Sequence, residues 1–325
     1  MAERAFHVGV DIGGTKIAGV ACDDRGAILS QVRDRTHSPT RGDLSVPRIA
    51  DLVRETVASA GLPMDAVRAV GVCAPGPLDV ASGTVIRVPV LKWTNVPVRA
   101  LLESELGVPV VLENDGNAAA YGEFLHGAGK GLRSLAFIGL GTGIGGGLVL
   151  DGSLYRGRHD HAGEYGHLCV EKDGRRCACG NTGCLEAYAS GTSIAAIARE
   201  AFAGTGRYDA DALASLDCRA VEVLAKEGDP IALSIWDQVG RKLGLAVSAL
   251  VQSLDPDLIV IGGGTSRALG LFYDTMVDSA KRQMFAVLAN DLRIAAARLG
   301  ESAGAVGAAF LAAEAHGLWK REDHP

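Results

Sequence analysis

The chain lacks long runs of one charge, an extended apolar segment at its start, and an even number of cysteines, and each lack narrows its function. Its 325 residues carry 32 Lys and Arg against 38 Asp and Glu, a net charge of −6 spread along the chain. That balance argues against a dedicated nucleic-acid or polyanion surface. The apolar stretch near the start ends at Asp11, too short for a signal peptide or a membrane span, so a cytoplasmic protein without a membrane partner is expected. Seven cysteines cannot all pair with one another. In a reducing compartment a disulfide framework is not expected, and clustered cysteines there bind metal or do redox work. Cys22, Cys73 and Cys218 stand apart in apolar contexts and read as small core residues. With 48% hydrophobic residues the chain can bury a large core, and its length suits two domains.

Glycine is plentiful and patterned. Residues 6–29 read as strand, glycine turn, strand, turn, strand, and residues 134–155 repeat that order, so the chain looks internally duplicated. Gly141-Thr142-Gly143-Ile144-Gly145-Gly146 fits the bare dinucleotide pattern, but that fingerprint needs a helix after the turn, and here a strand follows. Gly129-Lys130 lacks the spacing and the Ser/Thr of a Walker loop. What remains is a pair of hairpin loops, Gly13-Gly14-Thr15 and Gly141-Thr142-Gly143, whose backbone N–H groups and threonine hydroxyls suit a polyphosphate. The alternative is two tight hairpins with no ligand. A third cluster, Gly262-Gly263-Gly264, follows a strand-like run over 257–261 and would let a flat ligand such as an adenine lie on the backbone.

Candidate reactive side chains fall beside these loops. The strand-like run 108–112 leads into Glu113-Asn114-Asp115, and residues 117–125 have helix-forming composition. Asp115 thus sits at a strand end and a helix N-terminus, where the dipole favours the carboxylate; it either accepts a hydroxyl proton or merely caps the helix. Asn114 offers a donor and an acceptor for sugar-like hydroxyls, and Glu164, His167 and Glu186 are further polar candidates. Asp11 and Lys16 border the first loop, and Asp11 could hold Mg²⁺ through water. Cys177, Cys179 and Cys184 form C-x-C-x4-C, three of the four ligands of a tetrahedral zinc site. Cys169, His167, His161 and His159 are all near enough in sequence to supply the fourth.

Together Asp11-Ile12-Gly13-Gly14-Thr15-Lys16, Ala74-Pro75-Gly76-Pro77, Trp93-Thr94-Asn95-Val96-Pro97, Glu113-Asn114-Asp115-Gly116-Asn117, the segment 140–167, the cysteine cluster and Leu254-Asp255-Pro256 resemble the ROK (repressor, open reading frame, kinase) family of sugar kinases and sugar-responsive repressors along nearly the whole chain. One departure is Gly116, where the family usually has alanine. The resemblance implies an α/β fold of two duplicated lobes around a nucleotide cleft, as in actin, the heat-shock ATPases and hexokinase. It implies lobes at 1–116 and 117–302, with a small-residue helix over 303–318 returning to the first. It also implies ATP-dependent phosphorylation of the primary hydroxyl of a hexose, with Asp115 as general base. Gly76, Asn95, Asn114, Asp115, Glu164, His167 and Glu186 would bind the sugar, and Asp11, Gly13, Gly14, Thr15, Lys16, Gly141, Thr142, Gly143, Gly262, Gly263 and Gly264 the nucleotide and Mg²⁺. For the metal it selects His167 with Cys177, Cys179 and Cys184, a closed and therefore structural zinc site. Dimers or tetramers are expected. Glucose is the default acceptor because segment 113–117, the cysteine motif and Glu186 most resemble glucokinases; other hexoses, amino sugars and cyclitols are alternatives, and polyphosphate is an alternative donor. A sugar-sensing repressor would carry a helix-turn-helix domain ahead of the first loop, where only ten residues precede Asp11. A zinc hydrolase would need an open metal position.

Overall fold

A computed structural model describes residues 6–38 and 42–320. It is a mixed α/β chain that divides into two units: residues 1–135, 147–162 and 298–325 form the first, and 136–146 and 163–297 the second. The first unit therefore takes in 117–135 and 147–162, which the sequence suggests for the second lobe, as well as the C-terminal helix.

In the first unit, β1 (Phe6–Ile12), β2 (Lys16–Asp23) and β3 (Ile28–Arg35) form an antiparallel meander, and β4 (Val70–Ala74) and β5 (Val110–Asn114) extend it in parallel, in the order β5-β4-β1-β2-β3. β1 and β4 read as nearly continuous apolar runs because helices cover both faces of the sheet. Helix α1 (Val46–Ser59) buries Ile49, Leu52, Val53 and Val57 on one stripe against the face that carries Gly19, where an added Cβ would strike the Thr56 side chain. Each such Val, Ile or Leu contributes about 1.5–3 kcal/mol when fully buried. Helix α2 (Val98–Leu106) precedes β5, and α3 (Asp115–His126) follows it directly.

The opposite face receives the C-terminal helix. It is almost entirely small, AGAVGAAFLAAEA, and nearly all of it is buried. Added Cβ atoms at Gly9 and Gly71 would collide with the carbonyls of Ala305 and Ala308, and one at Gly307 with that of Ala118 in α3. Backbone-to-backbone packing of this kind is why glycine and alanine recur on both partners. The entry to this helix is tied by a fully buried carboxylate: Glu123 accepts from the N–H groups of Ala128 (2.8 Å), Arg298 (3.0 Å) and Leu299 (2.7 Å). Three charge-assisted bonds offset its desolvation.

The second sheet runs β8-β7-β6-β9-β10, from β6 (Leu135–Leu140), β7 (Ile144–Leu150), β8 (Ser153–Leu154), β9 (Leu258–Gly262) and β10 (Ile294–Ala296). Its order, three strands consecutive in sequence followed by two later ones of which β10 pairs with β9 in parallel, repeats the plan of the first sheet, so the duplication read in the sequence is present in the fold. In the second unit α4 (Glu186–Ala189) and α5 (Gly191–Phe202) follow the cysteine segment. The long α6 (Pro230–Leu254) starts with Asp229 as its N-cap and Pro230 in its first turn, and packs on α7 (Leu269–Arg282) through Gly240, Gly244 and the stacked Trp236–Phe272 rings. The C-terminal helix is α8 (Ala303–Ala315).

Candidate functional site

In the first unit the carboxyl ends of three parallel strands stand in register: Asp11 of β1 is opposite Cys73 of β4, which is opposite Glu113 of β5. These are the strand ends at which parallel sheets receive ligands. Asp11 is half-buried there, hydrogen-bonded with the Cys73 thiol. Burial and the negative charge of Asp115 push its carboxyl up to about 7. A carboxyl held at that value by desolvation and a second carboxylate is the group that a cation would relieve.

The turn after Asp11 closes through Gly13 N–H donating to the Lys16 carbonyl (2.9 Å), and it is pinned from outside by fully buried Thr36, whose hydroxyl donates to the Gly13 carbonyl (2.8 Å) and whose N–H donates to that of Thr15 (3.0 Å). A Cβ on Gly14 would crowd the Val90 side chain at 3.2 Å, so glycine leaves this turn unobstructed. Lys16 does not project alone: its ammonium meets Glu301 at 2.6 Å, and Glu301 also pairs with Arg33 at 3.0 Å. Thr36 and Glu301 have no local sequence signal that ties them to this loop.

Asn114, not Asp115, is the N-cap of α3: its Oδ1 accepts from Asn117 N–H at 3.1 Å. The cap role considered for Asp115 is therefore taken by its neighbour, because the β-region backbone that a cap requires falls at Asn114. Asp115 becomes the first helical residue, its Oδ1 accepting from Gly116 N–H at 2.9 Å. The Asn114 amide nitrogen is left near Gly76, 3.7 Å from where a Cβ would stand. Asn95 is exposed on the last strand of a small sheet, in the left-handed region with φ 49° that asparagine tolerates. Glu113, fully buried, receives Asn117 Nδ2 (3.0 Å) and Arg156 Nε (2.7 Å). This pair, 43 residues apart, supports the Asn114-Asp115 corner and was not evident from the sequence.

In the second unit, the loop Gly141-Thr142-Gly143 is closed by Gly141 N–H donating to the Gly143 carbonyl (2.9 Å). The start of α5 holds it: Gly191 N–H donates to the Gly141 carbonyl (2.8 Å) and the Thr192 hydroxyl to that of Thr142 (2.9 Å). Glu186 seals the other side, with Oε2 accepting from Ile144 N–H at 2.8 Å and lying 2.6 Å from where a Cβ on Gly143 would stand. Of the third cluster, Gly262 makes room for the Phe137 ring and Gly263, at φ 82°, for the Leu140 backbone; Gly264 alone has open space on its side-chain face. Two of those three glycines answer to packing.

Four ligand atoms converge beside Glu186. Those of His167, Cys177, Cys179 and Cys184 all lie within 4.8 Å of one another. The Cys179 and Cys184 sulfurs are 3.7 Å apart, and Cys177 Sγ is 3.9 Å from His167 Nδ1. A tetrahedron with zinc–sulfur bonds of about 2.3 Å has edges of about 3.8 Å, so the donor set and its spacing fit zinc. Without a cation, burial pushes the Cys177 thiol up and the Cys184 thiol to about 12, while the N–H of Asn181 holds Cys179 down. The His167 ring turns its other nitrogen toward Glu164, 3.9 Å away. Cys177 Sγ is 3.8 Å from Glu186 Oε1, so this carboxylate spans the cysteine cluster and the glycine loop. Cys169, His159 and His161 are exposed and outside the cluster. Cys22 and Cys73 are core residues, as expected, but Cys218 is half-buried, with its thiol bonded to Thr265.

The model of the ROK family matches residues 7–315. A glucokinase of Streptomyces coelicolor is 37% identical over 317 residues, 94% of this chain and 97% of that protein. Among solved structures, a ROK family glucokinase from Streptomyces griseus in complex with glucose and AMPPNP matches with a TM-score of 0.79 and 36% identity over 95% of this chain and 99% of that one. A ROK hexokinase from Thermus thermophilus matches with a TM-score of 0.79 and 33% identity over 96% and 99%. The actin-like ATPase fold is thereby the fold of this chain.

Proposed function

The chain belongs to the ROK family, and we propose that it is an ATP-dependent sugar kinase that phosphorylates the primary hydroxyl of a hexose, glucose foremost. The near full-length likeness to glucokinases carries this reading. Asp115 is the base: as the first residue of α3 it carries a carboxylate at the helix N-terminus, and it accepts the hydroxyl proton as the oxygen attacks the transferred phosphoryl group. Asn114, fixed by its cap bond, presents its amide nitrogen to a sugar oxygen beside Gly76, and Asn95 offers a further amide. Glu164, His167 and Glu186 are further partners for the sugar hydroxyls. Asp11 and Lys16, with the two glycine loops, take the phosphates; Gly264, with Gly262 and Gly263 shaping its backbone, takes the nucleotide base side. Mg²⁺ neutralises charge on the transferring phosphates.

Zinc in the Cys177, Cys179, Cys184 and His167 set is structural. Four protein donors leave no water-bearing position, which disfavours a zinc hydrolase. No described helix is long and apolar enough to cross a membrane, which accords with a cytoplasmic enzyme. Self-association through the second unit is part of the same family-based reading. The test is ADP release with ATP and Mg²⁺ across glucose, mannose, fructose, N-acetylglucosamine, N-acetylmannosamine and kanosamine. Glucose should give the highest kcat/KM; turnover no faster with any sugar than with water would remove the kinase reading, and a different preferred sugar would replace glucose only.

A further inference from the structure

Cys169 is not one of the four clustered donors, yet it is not placed at random. It forms an antiparallel bridge with Cys184. The flanking bonds are Val170 N–H to the Gly183 carbonyl (2.8 Å) and Leu185 N–H to the Leu168 carbonyl (2.9 Å). Those bonds make Cys169 and Cys184 a non-hydrogen-bonded cross-strand pair, whose Cα atoms approach to about 4.5 Å with both side chains on one face. That separation lies inside the range a disulfide accepts, about 4.4–6.8 Å. Gly183 adds a second observation: a Cβ there would stand 3.2 Å from Cys169 Sγ, so the sulfur lies over the residue preceding Cys184. Cys169 is exposed, whereas Cys184 is buried.

We infer that Cys169 and Cys184 form an oxidisable pair, a disulfide site that withdraws Cys184 from the metal set when hydrogen peroxide is present. Exposed Cys169 meets the peroxide first. Its sulfur attacks one peroxide oxygen, the O–O bond breaks, and a sulfenic acid forms with release of water. The Cys184 sulfur then attacks the Cys169 sulfur, the S–S bond forms, and the sulfenic oxygen leaves as a second water. Two electrons pass from the two sulfurs to the peroxide. The proton that a metal-bound Cys184 thiolate lacks comes from solvent, and the cation departs in its place. Cys179, at 3.7 Å, is nearer in sulfur distance, but in the loaded site it is itself a ligand, while Cys169 is the partner across the bridge that the metal does not engage.

The metal half of this inference rests on the zinc reading; the pairing does not. The protein as purified is assayed for zinc, treated with hydrogen peroxide, and followed by a chromogenic zinc chelator and by non-reducing peptide mapping. The expected result is a 169–184 disulfide accompanied by zinc release, both reversed by a thiol reductant with added zinc. Cys169→Ser should release zinc several-fold more slowly. A first disulfide between Cys179 and Cys184, absence of any disulfide, or equal release from Cys169→Ser would overturn the inference. Zinc-free purified protein would remove the metal reading alone, and the mapped pair would still decide the disulfide.

Discussion

At the first glycine hairpin the acid precedes the loop: Asp11 is the penultimate residue of β1, bonded by a thiol and facing a second carboxylate, so its charge is costly without a cation. At the second hairpin the acid comes from 42 residues downstream, and Glu186 spends one oxygen on the Ile144 amide while its other faces the cysteine cluster. The two loops share a plan but not a task. The first is electrostatically loaded and sits among the groups proposed for chemistry, whereas the second is stitched into a framework that the proposed zinc would complete. Changes near the first should therefore alter turnover with little effect on folding, and changes near the second should alter stability and affinity more than the chemical step.

The sharpest separation comes from Asp115→Asn. An amide cannot take the hydroxyl proton, yet the Asn114 cap bond and the buried Glu113 network remain. A general base contributes about 10²–10⁴ in rate, so kcat should fall by about 10³-fold while the melting temperature and the sugar affinity stay close to the parent. Steady-state kinetics, a melt and a sugar titration measure all three. Unchanged turnover would exclude Asp115 as the base.

Cys179→Ser probes the other side. Loss of a ligand should lower stability by about 3 kcal/mol or more, as removal of a metal site does, with zinc content reduced and KM for the sugar raised more than kcat is lowered. A variant that melts normally and keeps its zinc and sugar affinity would show that the cluster does not hold the Glu186 segment.

The contrast between the loops was only half legible in the sequence. Apolar runs broken by glycine and threonine announce strand, turn and strand, because the period of a buried strand and the freedom of glycine are local properties; the duplicated hairpins, α3 and the small-residue α8 follow from them. The cysteine spacing likewise announces that three donor atoms converge, since Cys177, Cys179 and Cys184 lie on one short loop. What fixes each loop is not local. Thr36 on the first, Glu186 on Ile144, Arg156 on Glu113 and Glu123 on the residues entering α8 are pairings over 23 to 176 residues, and no spacing encodes them. The cap at Asn114 was missed for a different reason: Asn and Asp are equally good caps, and only the backbone decides between neighbours.

The smallest expected effect for any one pH unit, and the one that tests the loaded character of the first loop directly, is a pH dependence of Asp11. Its pKa is raised, from 3.8 to about 7, because burial and Asp115 disfavour the carboxylate. The folded chain therefore holds a proton that the unfolded chain has already lost, and stability from this group is full at low pH and falls as pH rises through about 7. The slope is at most about 1.4 kcal/mol per pH unit, confined to pH ~4–7. Asp11→Asn, neutral throughout, should flatten that part of the stability curve in the absence of Mg²⁺. Metal binding has the opposite sign: it needs the carboxylate, so the affinity for Mg²⁺ with ATP should weaken up to tenfold per unit as pH falls below about 7, with uptake of the cation releasing a proton there. Calorimetric titration in two buffers of different ionisation enthalpy measures that proton. If wild type and Asp11→Asn show the same stability slope and no proton is released, Asp11 does not carry the strained charge that distinguishes the first loop from the second.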